Sequence, residues 1–295
     1  MHVDMEEKMD VLQLRAYGKI NLGLDVLGTR PDGYHEVRMI MQTVGVYDEI
    51  RMEKQRKPGI QIATNLSFLP CNEQNLAYRA ADLLMQECNV PEGVSIRIRK
   101  VIPVAAGMAG GSSDAAAVLI GVNRMFGLGF SKKDLARRAV TLGADVPYCI
   151  MRGTALAEGI GERLTPLPKM PPCIVVVAKP PVSVSTKEVY TKFDACPAPA
   201  HPDIDAMIQG LKRGDLLTVA QNLGNVLENV TEEDYPVVAR IKQIMIEHGA
   251  LGALMSGSGP TVFGLFNDEN AAERTRRGLI RARLVRQLFV TKPVP

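Results

Sequence analysis

The chain has 295 residues, 46% of them hydrophobic and 23% charged, the proportions of a soluble globular protein with length enough for two domains. A formal charge of +3, the lack of a Lys/Arg-rich block, 5% aromatic residues and no Trp argue against a basic or base-stacking nucleic-acid surface. Five dispersed cysteines (Cys71, Cys88, Cys149, Cys173, Cys196) without a CxxC pair fit reduced thiols in a cytoplasmic protein; four histidines at no metal-ligand spacing argue against structural zinc, and no apolar run reaches transmembrane length.

The N-terminal MHVDMEEKMD lacks the apolar core of a signal peptide and reads as a frayed extension. Strands are predicted at Val11–Arg15, Ile20–Val26, Val37–Val44, Asp48–Lys54, Gly59–Ala63 and Val94–Lys100. A helix from about Glu73 to Glu87 puts Leu76, Ala80, Leu83 and Leu84 on one face. Residues 103–115 read PVAAGMAGGSSDA, and beyond them Ala115, Val118, Leu119, Val122, Met125 and Phe126 recur at helical spacing. Ser131 and Asp134 make a capping box for a helix that stops near Gly143. Leu164–Pro172, with four prolines, is a connector before a buried strand at Cys173–Ala178. After a Pro/Ala loop at Ala195–Pro202 come helices at Ile204–Arg213, Leu216–Glu228 and Pro236–His248, the last closed by Gly249. A strand–turn–strand, LGALMSGSGPTVFGLF, then a helix and a last strand near Leu284–Thr291 complete the chain. Strands and helices come in mixed runs, which predicts an α+β fold.

The strand at Val94–Lys100, the glycine-rich run and the following helix make the order strand, glycine loop, helix N-terminus. Glycines admit close backbone approach, and a helix start offers unpaired N–H groups and a positive dipole end. Together these suit a phosphate, although such a run can also be a tight loop packed on a sheet. It is not a Walker A loop, because no Lys follows the glycines, and GxGxxG is absent. Four further clusters each have a plain structural reading: Lys19-Ile20-Asn21 as a strand edge, Gly143–Pro147 as a turn, Met255–Thr261 as a glycine hairpin, Arg30–His35 as a Pro-Asp-Gly turn. In combination they supply what phosphoryl transfer needs: a phosphate cradle, a cation (Lys19) and a carboxylate toward the acceptor hydroxyl (Asp145).

AYGKINLGLDVLGTRPDGYHEV, NLAYRAA, IPVAAGMAGGSSDAA, LGADVPYC, GIGE and SGSGPTVFGLF, in this order across residues 16–266, resemble the GHMP kinase superfamily. GGSS and GSGPT resemble the superfamily at large. Arg30–His35 and Gly143–Pro147 resemble its branch that acts on an alcohol bearing cytidine diphosphate. The resemblance implies a two-domain α+β fold, with a ribosomal protein S5 domain 2-like N-terminal domain over 1–165 that carries the ATP-phosphate loop, and a C-terminal domain over 166–295. It implies ATP-dependent phosphorylation of the 2-hydroxyl of CDP-methylerythritol in non-mevalonate isoprenoid synthesis, with Mg2+ accompanying ATP. By the same resemblance Asp145 is the catalytic base and Lys19 its neighbour. Pro103, Gly107, Gly110, Gly111, Ser112 and Ser113 wrap the ATP phosphates, and Asn75 and Lys100 line the adenosine pocket. Asn21 and Thr186 contact the acceptor; Tyr34 and Tyr190 sandwich cytosine, whose polar edge His35 bonds. Tyr190 stands where the family often has Phe, and Met108 and Ala109 are packing variants within the loop. The metal ligand stays open among Ser112, Ser113 and Asp145. Mevalonate-like or homoserine-like acceptors, and a non-catalytic nucleotide-binding regulator, are the rival readings. The expected partners are a small molecule, not nucleic acid or membrane, for a cytoplasmic monomer or weak homodimer.

Overall fold

The computed structural model describes residues 10–196 and 200–295; the N-terminal extension through residue 9, and 197–199 of the Pro/Ala loop, lie outside the described residues. In chain order the elements are β1 (Val11–Thr29), β2 (His35–Gln55), β3 (Gly59–Thr64), α1 (Leu76–Glu87), β4 (Gly93–Arg99), α2 (Gly110–Met125), α3 (Lys132–Ala139), α4 (Val146–Met151), β5 (Thr154–Gly159), β6 (Arg163–Pro166) and β7 (Ile174–Lys179). They continue with α5 (Thr186–Asp194), α6 (Ile204–Arg213), α7 (Leu216–Gln221), β8 (Gly224–Asn225), α8 (Glu228–Asp234), α9 (Val237–Glu247), β9 (Gly252–Met255), β10 (Val262–Phe266), α10 (Glu269–Arg281) and β11 (Gln287–Thr291).

Four predicted strands are two long ones. Val11–Arg15 and Ile20–Val26 are both in β1; Val37–Val44 and Asp48–Lys54 are both in β2. Residues 18–26 and 39–44 are buried without a break, so both strand faces are covered there and the period-2 signal disappears.

The chain forms two compact units: one of residues 10–17, 47–102 and 110–151, the other of 18–46, 103–109 and the described residues from 152 onward. They are not successive stretches of sequence, because β1 and β2 each run through both.

In the first unit β4 pairs antiparallel with β2, from Glu49↔Arg99 to Gln55↔Gly93, and parallel with β3, from Gly59↔Gly93 to Thr64↔Ile98. Ile50, Met52, Ile96 and Ile98 are buried and alternate with exposed Arg51, Arg97 and Arg99. The pleat therefore covers one face and solvates the other. Helices α1 and α2 pack against each other. Ala115, Val118, Leu119, Val122 and Met125 of α2 are buried as their spacing predicts. Gly121 lets the sheet approach, since a Cβ there would lie 2.3 Å from Met52 Sδ and 2.8 Å from Leu14 Cδ1. Helix α1 starts later than predicted because Asn75 Oδ1 accepts from Ala77 N at 3.0 Å and caps it. The Ser131/Asp134 capping box opens α3 as predicted.

In the second unit β2 pairs with β5 from Val37↔Gly159 to Gln42↔Thr154, β5 pairs with β6, and β1 pairs parallel with β8 at Gly23↔Gly224 and Leu24↔Asn225. A separate sheet runs β11-β7-β10-β9, all its neighbours antiparallel. Val176, Ala178, Val262 and Phe266 of that sheet share a core with Val238, Ile241 and Met245 of α9 and Leu279 of α10. The helix predicted over Leu216–Glu228 is divided: α7 ends at Gln221, the chain lays β8 beside β1, and α8 begins at Glu228. Helix α6 matches its prediction and closes on left-handed Gly214 (φ 67°). Among the described residues no helix is long and apolar enough to cross a membrane.

Candidate functional site

Three predicted motifs meet in the second unit. Lys19 and Asn21 stand on the covered part of β1, both buried. Lys19 Nζ donates to Asn21 Oδ1 at 2.6 Å, and Lys19 N donates to Met108 O at 3.1 Å, which fastens the glycine loop to the strand. Ser256, at the start of the late turn, is fully buried; its hydroxyl accepts from Asn21 N at 3.2 Å and donates to Gly107 O at 2.9 Å. One hydroxyl thus joins β1, the loop and the GSGPT turn. Gly107 has φ 76°, and a Cβ there would fall 2.0 Å from Ser256 O, so only glycine satisfies both the backbone angle and the close approach. Ala105 and Ala109 are also left-handed (φ 49° and 55°). Left-handed residues at alternating positions suit the backbone concavities that gather N–H groups around an anion.

Sequence reasoning missed what braces this turn. Asn225 of β8 donates through Nδ2 to Met255 O (2.9 Å) and Gly257 O (2.8 Å) and accepts from Leu227 N (3.0 Å). Glu228 Oε1 accepts from Met255 N at 2.8 Å, and Lys242 Nζ pairs with both Glu228 and Glu232. Burial pushes the Glu228 carboxyl up, and the Lys242 ammonium only partly offsets this. These partners come from separate stretches of chain, and nothing in their local pattern announces them.

A second cluster in the same unit gathers the predicted base-binding residues. The His35 and Tyr190 rings lie 4.6 Å apart, tilted by 36°, and His35 Nε2 lies 2.8 Å from Asp194 Oδ1. Thr186 Oγ1 is 2.9 Å from Ser258 Oγ, which links α5 to the late turn. Tyr34 sits in the turn before β2, 60% exposed, its N–H donating to Asp32 Oδ1. Helix α5 was not predicted, yet Ser185 and Glu188 carry a capping signature, and Ser185 Oγ accepts from Glu188 N.

In the first unit α2 begins at Gly110. Gly110 is closely packed, a Cβ there meeting Ile102 Cγ2 at 3.1 Å and Lys100 Nζ at 3.3 Å. Pro103, in the other unit, is buried; Gly111 is exposed and Ser112 half-buried. Ser113 is buried, and its hydroxyl donates to Tyr17 O at 2.7 Å. Lys100 is the centre of a buried ionic cluster, with Nζ 2.5 Å from Asp48 Oδ2 and 2.6 Å from Asp114 Oδ2. Asp48 Oδ1 also accepts from Val101 N and Ile102 N, holding the segment that leads to the loop. Burial pushes the Asp114 carboxyl up to about 8 against the pull of Lys100, and its Oδ1 is buried without a hydrogen-bond partner. Burial presses the Lys100 ammonium down, but the two carboxylates prevail and leave it raised. Asn75 spends its amide on the α1 cap and on Pro70 O. Asp145 is half-buried ahead of α4, with its main-chain oxygen accepting from Cys149 N at 3.1 Å.

The GHMP kinase N-terminal domain matches residues 75–153, and the GHMP kinase C-terminal domain matches residues 207–285. A 4-diphosphocytidyl-2-C-methyl-D-erythritol kinase of Lachnospira eligens is 54% identical over 284 residues, 96% of this chain and 99% of its own. One from Lachnoclostridium phytofermentans is 54% identical over 266 residues, 90% of this chain and 91% of its own. A crystal structure of a 4-(cytidine 5'-diphospho)-2C-methyl-D-erythritol kinase matches with a TM-score of 0.80 at 33% identity, covering 96% of this chain and all of that one. The homoserine kinase of Cytophaga hutchinsonii also gives a TM-score of 0.80, covering 99% of this chain and 97% of its own, but at 19% identity shares the fold alone. The chain belongs to the GHMP kinases, within the family of 4-diphosphocytidyl-2-C-methyl-D-erythritol kinases.

Proposed function

We propose that the chain transfers the terminal phosphoryl group of ATP to the 2-hydroxyl of 4-diphosphocytidyl-2-C-methyl-D-erythritol, a step toward isoprenoid precursors. Family membership carries ATP-dependent phosphorylation of a small molecule; the acceptor is the added claim. The observation that carries it is 54% identity spanning 99% of a relative named for that acceptor. The His35–Tyr190 pair supports it, since an acceptor without a base would give two adjacent rings nothing to hold.

In this proposal Asp145 takes the proton of the 2-hydroxyl as its oxygen bonds to the γ-phosphorus, and the bond to the β-γ bridging oxygen breaks to release ADP. Lys19 stabilises the transferring charge. Pro103, Gly107, Gly110, Gly111, Ser112 and Ser113 cradle the phosphates, Ser113 through its N–H because its hydroxyl proton is committed to Tyr17. Asn75 and Lys100 line the adenosine side with backbone and stem, their polar ends being committed to the α1 cap and to the two carboxylates. Asn21, Tyr34, His35, Thr186 and Tyr190 take the acceptor. Magnesium accompanies ATP. The hydroxyls of Ser112 and Ser113 and the Asp145 carboxylate are hard oxygens of the class it selects, and one or two of them would hold it, together with the phosphates and water. Bound there, it would neutralise phosphate charge.

Base stacking on an aromatic ring is worth roughly 1–3 kcal/mol. Cytidine diphosphate is therefore expected to raise the melting temperature of the wild type more than that of Tyr34→Ala, in thermal-shift titrations at matched nucleotide concentration. Equal shifts would remove Tyr34 from the base site.

A further inference from the structure

Thr186, Tyr190 and Asp194 follow one another at four-residue spacing, which aligns them along one face of α5. The first reaches Ser258, the second lies against the His35 ring, and the third reaches His35 Nε2 at 2.8 Å. Asp194 belongs to none of the sequence motifs that mark the site. It ends its helix, where the partial negative charge of the C-terminus disfavours a carboxylate. His35 offsets that cost, and its own side chain is only 12% exposed.

The pair fixes more than position. A carboxylate accepts hydrogen bonds and cannot donate them. The hydrogen between Asp194 Oδ1 and His35 Nε2 is therefore carried by Nε2. When the imidazole is neutral it has one N–H, and Nδ1 then keeps its lone pair. Among the described residues no hydrogen bond engages Nδ1. Cytosine and uracil differ at ring position 4, where cytosine presents an amino donor and a uracil-type base a carbonyl acceptor. An Nδ1 acceptor bonds the amino group and meets the carbonyl lone pair against lone pair.

We propose that Asp194 is a positioning residue that sets the base specificity of this site: by holding the His35 proton on Nε2, it keeps Nδ1 an acceptor for the cytosine amino group and turns uracil away. This rests on the reading of the chain as a kinase of a cytidine-diphosphate acceptor. Asp194 acts through His35 and touches no reacting atom.

Two measurements on the intact protein test it. Long-range 15N–1H spectra of the histidines, with His35 assigned by comparison with His35→Gln, should show the Nε2–H tautomer in the wild type. In Asp194→Asn the new amide can donate to Nε2, and the spectrum should move toward Nδ1–H. In parallel, kcat/KM is measured for CDP-methylerythritol and its uridine counterpart. The cytidine preference should fall about tenfold or more in Asp194→Asn, the scale of one lost base-edge contact, while kcat on the cytidine acceptor stays within about threefold, since the chemical step is untouched. An Nδ1–H or doubly protonated His35 in the wild type, or an unchanged preference in the variant, overturns the role of Asp194. A wild type that does not phosphorylate CDP-methylerythritol overturns the functional reading itself, and is told apart by that arm alone.

Discussion

Asp145→Asn is expected to fold, to bind ATP as the wild type does, and to lose about 10²- to 10⁴-fold in turnover, the usual contribution of a positioned proton acceptor. The exchange keeps size and shape at a half-buried site, and the main-chain bond from Cys149 N to the residue 145 oxygen does not depend on the side chain. The fold and the start of α4 should therefore survive, which circular dichroism and the melting temperature check. What is lost is the capacity to receive the hydroxyl proton. Steady-state kinetics should show the fall in kcat with KM for ATP nearly unchanged, the pattern of an interaction made only in the transition state. Near-wild-type turnover would reject Asp145 as the base.

Lys100→Met is expected to cost about 3–5 kcal/mol of stability, the range for removing one partner of a buried ion pair. The methionine fills much of the lysine volume, so the loss is electrostatic: Asp48 and Asp114, both buried, would face each other without the ammonium now 2.5 and 2.6 Å from them. Denaturant unfolding measures the difference, and a change below about 1 kcal/mol, the scale of a surface pair, would contradict it. The cluster also gives stability a direction with pH. The folded Asp114 carboxyl is pushed up to about 8 by burial, above its ordinary value, so the folded chain holds a proton that the unfolded chain releases. Its contribution is full below the ordinary carboxylate range and is lost as pH rises toward 8. Asp114→Asn should flatten that part of the stability profile; an unchanged slope would show that Asp114 does not carry it.

Features that depend on neighbouring residues were legible in the sequence. The Ser131/Asp134 capping box, the buried face of α2 and the bounds of α6 at Ile204–Arg213 are each set within a few residues. The Ser185/Glu188 signature of α5 is equally local, but the segment around it is short and polar. The long strands were read as four because the double burial of residues 18–26 and 39–44 erases alternation. Strand β5, TALAEG, has two alanines and a glycine and little strand propensity. In the site, Lys19, Asn21, the glycine loop and the late turn could be singled out by their motifs. The Ser256 hydroxyl that joins them, the Asn225 and Glu228 braces and the His35–Asp194 pair could not. Those contacts close over 235, 149, 30, 27 and 159 residues of chain, and long-range closure leaves no local pattern.

The central claim is the acceptor, and a coupled ADP-release assay tests it most directly. Purified protein with ATP and magnesium is offered CDP-methylerythritol, mevalonate and homoserine in parallel. ADP release with CDP-methylerythritol, and release with mevalonate and homoserine no faster than without any acceptor, is the predicted result. Release driven by mevalonate or homoserine but not by CDP-methylerythritol would contradict it.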